Sequence, residues 1–133
     1  MSEKFVPNHL HFVMRAEVQD PIRSVHECNE WLRDLVEIAG MKVVAGPTSV
    51  YVSEPGNEGV TGTITLATSH ASIHVWDTDH PSLVQFDIYS CKEFSVKDVV
   101  EHFEKMKAAS YDWILIDRND GLKQIASGQK FAT

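Results

Sequence analysis

Three successive segments, "TGTITLAT" (61–68), "ASIHVW" (71–76) and "SLVQFDIYSC" (82–91), alternate apolar and polar residues with a period of two. That period belongs to a β-strand buried on one face, and only short breaks separate the segments, so neighbours must pair antiparallel. Ile64 and Leu66, then Ala71, Ile73 and Val75, then Val84, Phe86 and Ile88 form the apolar sides. The opposite sides carry Thr61, Thr63 and Thr65, then Ser72, His74 and Trp76, then Gln85, Asp87, Tyr89 and Cys91. A sheet built this way collects a hydroxyl (Thr61), an imidazole (His74) and a thiol (Cys91) on one polar surface.

The flanking sequence supplies the layer that covers the apolar side. "HLHFVMRAEV" alternates, with Leu10, Phe12 and Met14 opposite His9, His11 and Arg15. Asp20-Pro21 reads as an N-cap with proline at the first helical position. The helix then runs to about Ala39, with Val25, Cys28, Leu32, Leu35, Val36 and Ile38 at near-helical spacing, and Gly40 stops it. "MKVV" and "SVYV" read as strands either side of Gly46-Pro47, and "EPGNEG" as a turn. Ser95 and Asp98 form a capping-box-like start for a second helix, whose apolar positions are Val96, Val99, Val100, Phe103 and Met106. His26 and His102 read as exposed helix residues, and "YDWILI" as a last strand. The order predicts one α+β domain over residues 1–133: a two-layer sandwich with a mostly antiparallel sheet, two helices on one face and the active site on the other.

Composition excludes several functions. Nineteen acidic residues against 12 basic ones give a net charge of −7, with no basic patch to hold nucleic-acid phosphates. Two cysteines are too few for a disulfide framework, "MSEKFVPNHL" has no apolar export segment, and no apolar run reaches membrane-spanning length. A reducing cytoplasm is the expected compartment, with neither a membrane nor a nucleic acid as partner. His70 and His74 have H-x-x-x-H spacing, but on a strand they lie about 13 Å apart, too far to share one ion. His9 and His11 lack a third partner in sequence, so no metal site is expected. There is no G-x-S-x-G elbow, G-x-G-x-x-G or phosphate-binding loop.

From Gly59 to Cys91 the chain resembles the prokaryotic S-adenosylmethionine decarboxylases, pyruvoyl enzymes made as proenzymes. "GVTG", "TITLA", "TSHASIHVW" and "FDIYSC" follow in the family's order and near its spacing. The resemblance implies self-cleavage before Ser69. The serine hydroxyl attacks the Thr68 carbonyl, Thr61 (serine in the family) steadies the oxyanion, and His74 removes the α-proton of residue 69. A pyruvoyl cofactor then forms from Ser69, on a chain beginning at 69, with residues 1–68 as the other chain. The cofactor's carbonyl would hold the substrate amine as a Schiff base and act as an electron sink. Cys91 matches the family's proton donor. Trp76 and Tyr51 are candidates for lining the substrate pocket. The small-molecule substrate implied is S-adenosylmethionine, the product is the aminopropyl donor for spermidine, and the assembly is a homodimer whose subunits share each site.

Departures from the pattern leave alternatives open. Thr68 replaces the family's glutamate, Lys92 its glycine, and the loop "DTDHP" is about two residues longer than usual. The family's ribose-holding glutamate after the tryptophan is absent, leaving Asp77 or Asp79 to substitute. A pyruvoyl decarboxylase for a basic amino acid, or an uncleaved binding homologue, are the other readings.

Overall fold

The computed structural model describes residues 8–132; the residues before them, where no export segment is expected, lie outside the described residues. Seven strands form one sheet: β1 (Leu10–Val18), β2 (Val43–Val52), β3 (Gly59–Leu66), β4 (Ser69–Val75), β5 (Ser82–Ser90), β6 (Ala108–Asp117) and β7 (Lys123–Lys130). Their order across the sheet is β2-β3-β4-β5-β1-β6-β7, and every pairing is antiparallel. Helices α1 (Val25–Ile38) and α2 (Val96–Phe103) supply the second layer. The expected α+β sandwich is the fold.

The apolar sides predicted from the alternation form the core. Ile64, Leu66, Ala71, Ile73, Val75, Val84, Phe86 and Ile88 are all buried, joined by Phe12 and Met14 of β1. From α1 come Cys28, Leu32, Leu35 and Val36, and from α2 Val99 and Phe103. Each fully buried Val, Leu, Ile, Phe or Met among them contributes about 1.5–3 kcal/mol relative to exposure. Helix α1 lies directly on β3, where a Cβ on Gly62 would stand 2.4 Å from the Cys28 sulfur and 2.6 Å from Ser49 Oγ. Gly62 is what lets that helix come so close.

Local differences from the sequence reading have clear causes. The N-cap of α1 is Ser24, not Asp20: Ser24 Oγ accepts the Glu27 N–H at 3.1 Å, in a Ser-x-x-Glu arrangement. Asp20 instead accepts a hydrogen bond from Arg23 at 2.7 Å. The Ser95 cap of α2 forms as expected, accepting the Asp98 N–H at 3.2 Å. The two strands expected around Gly46-Pro47 are one strand, β2, whose register against β3 shifts between Val43 and Ala45 and again between Ala45 and Thr48. The bulges absorb the glycine and proline on an edge strand, where missing donors cost least. Strand β7 is an addition; its largely exposed, polar pattern gives little period-two signal.

His102 is also corrected: it is 2% exposed. Its ring packs on Trp31 at 4.6 Å between centroids, and Nε2–H donates to the Trp31 carbonyl at 2.9 Å. Nδ1 is buried without a partner among the described residues. Burial holds the imidazole below its ordinary pKa, only partly opposed by the Trp31 bond. A proton on Nδ1 would be a buried, unpaired donor, so the unfolded chain binds that proton more readily than the folded one. Stability therefore rises with pH up to the ordinary histidine value of 6.5 and is lost as pH falls below it. Thermal melts between pH 7.5 and 5 should show Tm falling on acidification. His102→Gln, which keeps a donor for Trp31, should flatten that slope.

Candidate functional site

Strand register sets the polar face in three rows. Across β3, β4, β5 and β1 they read Thr65–His70–Tyr89–His11, Thr63–Ser72–Asp87–Val13 and Thr61–His74–Gln85–Arg15. Parity turns all twelve residues away from the helices. A cleft of about 450 Å³ opens on this face, lined by His11, Arg15, His74, Gln85 and Asp87.

The third row and its surroundings gather most of the predicted polar and aromatic groups. Thr61 Oγ1 and His74 Nδ1 are 3.1 Å apart. The rings of His74 and Trp76 are 6.1 Å apart, and Trp76 Nε1–H donates to Asn57 at 3.3 Å. The Tyr51 hydroxyl donates to the Asp77 carboxylate at 2.6 Å, which holds the phenol's pKa above its usual value. Asp79 lines a separate hollow with Arg15, Glu17 and Trp76, and its carbonyl accepts from Ser82 Oγ.

The other predicted groups meet at the opposite end of the β3–β4 hairpin. Leu66 pairs with Ser69, so Ala67 and Thr68 form a two-residue turn. Thr68 lies in the left-handed region at φ 58, where a β-branched side chain is disfavoured and strain of about 1–3 kcal/mol is typical. Ser69 Oγ accepts the Cys91 N–H at 3.0 Å. The Thr68 hydroxyl reaches both the Cys91 sulfur, at 2.6 Å, and the Ala67 carbonyl, at 2.7 Å, and its one proton serves one of them at a time. Cys91 follows the last residue of β5, so it is held by this turn and not by strand parity.

The predicted residues thus fall into two groups. Thr61, His74, Trp76, Tyr51 and Asp77 lie at one end of the hairpin; Thr68, Ser69 and Cys91 lie at the other. Ser69 and His74 are five residues apart on β4, which at about 3.3 Å per residue is roughly 17 Å, and they alternate to opposite faces. Within one chain the structure does not bring His74 to Ser69.

The sequence reading missed the middle of the face. His11 Nε2 bonds Asp87 Oδ2 at 2.8 Å, and His70 Nε2 stands 3.7 Å from the same oxygen. Ser72 Oγ donates to Asp87 Oδ1. Burial pushes the Asp87 carboxyl up, but the bonds from His11 and Ser72, with the charge of both histidines, hold it below its ordinary range. Tyr89 stacks near His9 and carries the Arg118 guanidinium 4.4 Å above its ring. The alternation of β5 already placed Asp87 on this face; its partners depend on strand order.

A family model described as S-adenosylmethionine decarboxylase matches residues 10–119, and the chain belongs to that family of decarboxylating enzymes. The S-adenosylmethionine decarboxylase proenzyme of Archaeoglobus fulgidus is 34% identical to it over 91 residues, which cover 67% of this chain and 80% of the relative. No helix among the described residues is long and apolar enough to cross a membrane.

The Thr68 hydroxyl is the first cause of a Cys91 thiol pKa held below its usual value, with Ser69 and the local backbone adding to it. The hydroxyl bonds the ionised sulfur more strongly than the thiol, so losing it lowers the thiolate fraction. Alkylation by iodoacetamide should therefore be slower near neutral pH in Thr68→Val, with the rate recovered at high pH. The comparison is made in chains that also carry Ser69→Ala, so that the Thr68 hydroxyl is the one difference between them. Cys28 is buried, with its pKa raised by that burial, and contributes little.

Proposed function

We propose that this chain is a proenzyme that cuts itself between Thr68 and Ser69 and then decarboxylates S-adenosylmethionine, giving the aminopropyl donor for spermidine. The observation that carries the reading is the turn itself. A left-handed Thr68 precedes a serine whose hydroxyl lies against the Cys91 N–H, in a chain of this family.

The residues present fit a pyruvoyl group made in place. Ser69 Oγ adds to the Thr68 carbonyl carbon, the peptide C–N bond breaks, and the chain is left joined through an ester. Release of the left-handed conformation at Thr68 favours this shift. A base then takes the proton on the Ser69 α-carbon, the Thr68 carboxylate leaves, and the resulting dehydroalanine hydrolyses with loss of ammonia. His74 is the base, and Thr61, 3.1 Å from it, steadies the oxyanion and orients the imidazole. Once made, the pyruvoyl group supplies the electron sink for loss of carbon dioxide. Cys91 Sγ holds the proton returned to the carbon that loses its carboxylate. Trp76 and Tyr51 line the substrate's place, with Asp77 and Asp79 as acceptors for its hydroxyls and a complement to its cationic centre.

The separation of the two groups supports a symmetric dimer as the working unit. A second chain laid antiparallel on the helix-free face would bring its own Thr61–His74 pair to the Ser69–Cys91 end of the first. The same face carries Val13, Ile114 and Ile116, apolar residues only half-buried in one chain. A two-fold interface repeats each contact, so two equivalent sites form together.

Intact mass should show two fragments divided at Thr68–Ser69, the second with a pyruvoyl terminus, and an uncut chain in Ser69→Ala. Uncut wild-type protein, with no carbon dioxide released from S-adenosylmethionine, would refute the reading.

His74→Ala should stall at the ester, which hydroxylamine cleaves. When Ser69→Ala and His74→Ala chains are produced together, random pairing should let about half of the His74→Ala chains process. No processing in the mixture would mean that His74 acts within its own chain.

A further inference from the structure

In the second and first rows of the polar face, three strands bring His11, His70 and Asp87 to one point. One ligand atom from each of His11, His70 and Asp87 lies within 4.8 Å of the other two. These residues belong to β1, β4 and β5, the middle of the sheet, so their backbones are fixed by ladders on both sides. None of the three has a role in the cleavage chemistry above.

We propose that His11, His70 and Asp87 form a binding site for one divalent transition-metal ion of the zinc class. Two imidazole nitrogens and one carboxylate oxygen suit zinc, cobalt(II) or nickel(II) and are a poor set for magnesium or calcium, which take oxygen ligands. Tetrahedral zinc with bonds of about 2.0–2.1 Å needs donors about 3.3 Å apart. His11 and His70 stand 2.8 and 3.7 Å from Asp87 Oδ2, and all three donors lie within 4.8 Å of one another, so side-chain rotation without backbone movement brings them onto one ion.

Two further features belong to a built site. Asp87 presents Oδ2 to the histidines because Ser72 donates to Oδ1, the outer-shell bond that orients a ligating carboxylate. The cluster also meets open space: His11 and Asp87 line the cleft of about 450 Å³ that reaches His74. Three protein ligands leave a fourth position, for water or an anionic group held in that cleft between this face and the second chain that the proposed dimer lays on it. The histidine pair within β4 remains too long to share an ion; the pair that meets comes from β1 and β4, across β5.

The test is zinc binding by the full chain, in competition with a chromogenic zinc indicator, with cobalt(II) absorption to identify the ligands. Wild type should bind one ion per chain, and Ser72→Ala should bind about tenfold more weakly. Asp87→Asn and His70→Gln should each lose more than the roughly 100-fold that an outer-shell change can cost. His26→Gln, at an exposed histidine of α1, should bind as wild type does. The cobalt spectrum should show d–d bands without thiolate charge transfer. Far-UV circular dichroism checks folding, and His70, half exposed, decides the matter if Asp87→Asn does not fold. No saturable binding by wild type, binding that survives both ligand changes, or a thiolate band assigning the metal to Cys91 would each overturn the site.

Discussion

Antiparallel pairing of β5 with β4 on one side and β1 on the other is the constraint from which the rest of this structure follows. It sets Tyr89 between His70 and His11, Asp87 between Ser72 and Val13, and Gln85 between His74 and Arg15. A slip of one residue on either side would turn Phe86 and Ile88 toward solvent and Asp87 into the core. The register is therefore held by the same apolar burial that stabilises the fold. Polar chemistry on one face is positioned by hydrophobic packing on the other.

The hairpin of β3 and β4 divides the chemistry by distance. Its far end joins Thr61 and His74 in a regular part of the ladder, where side chains are locked by neighbours. Its turn end holds Thr68 in a conformation that glycine takes more readily. Strain concentrated at one peptide bond, next to a serine held by the Cys91 amide, is a local property of the loop. The Thr61–His74 pair embedded in a ladder is a property of the sheet. Within one chain these two ends stay apart; the proposed two-fold dimer is what would join them.

Much of this was legible in the residues. Period-two alternation over 61–91 determines which side chains share a face, because Ile64, Ile73 and Phe86 can be buried together in only one parity. The Thr61–His74 contact follows from a short hairpin between those segments. Other features need information that a linear pattern does not hold. That Asp87 meets His11 depends on β1 inserting next to β5, a long-range pairing. The burial of His102 depends on Trp31 arriving from the other helix. Cys91 lies beyond its strand, where parity no longer applies and the turn decides its place. The cap of α1 was misread because Asp20-Pro21 and Ser24-x-x-Glu27 both carry start signals, and the second satisfies more backbone donors.

Strand order has a consequence for a chain broken at Thr68–Ser69. The piece before the break supplies β2 and β3 at one edge, but also β1, which lies between β5 and β6 of the piece after it. The two polypeptides are thus interlaced like fingers, each gripping the other across more than one seam. Such a break frees a turn and two chain ends without opening a boundary along which the halves could part. The sheet acts as a rivet, so a protein of this topology can be severed in its backbone and remain a single body.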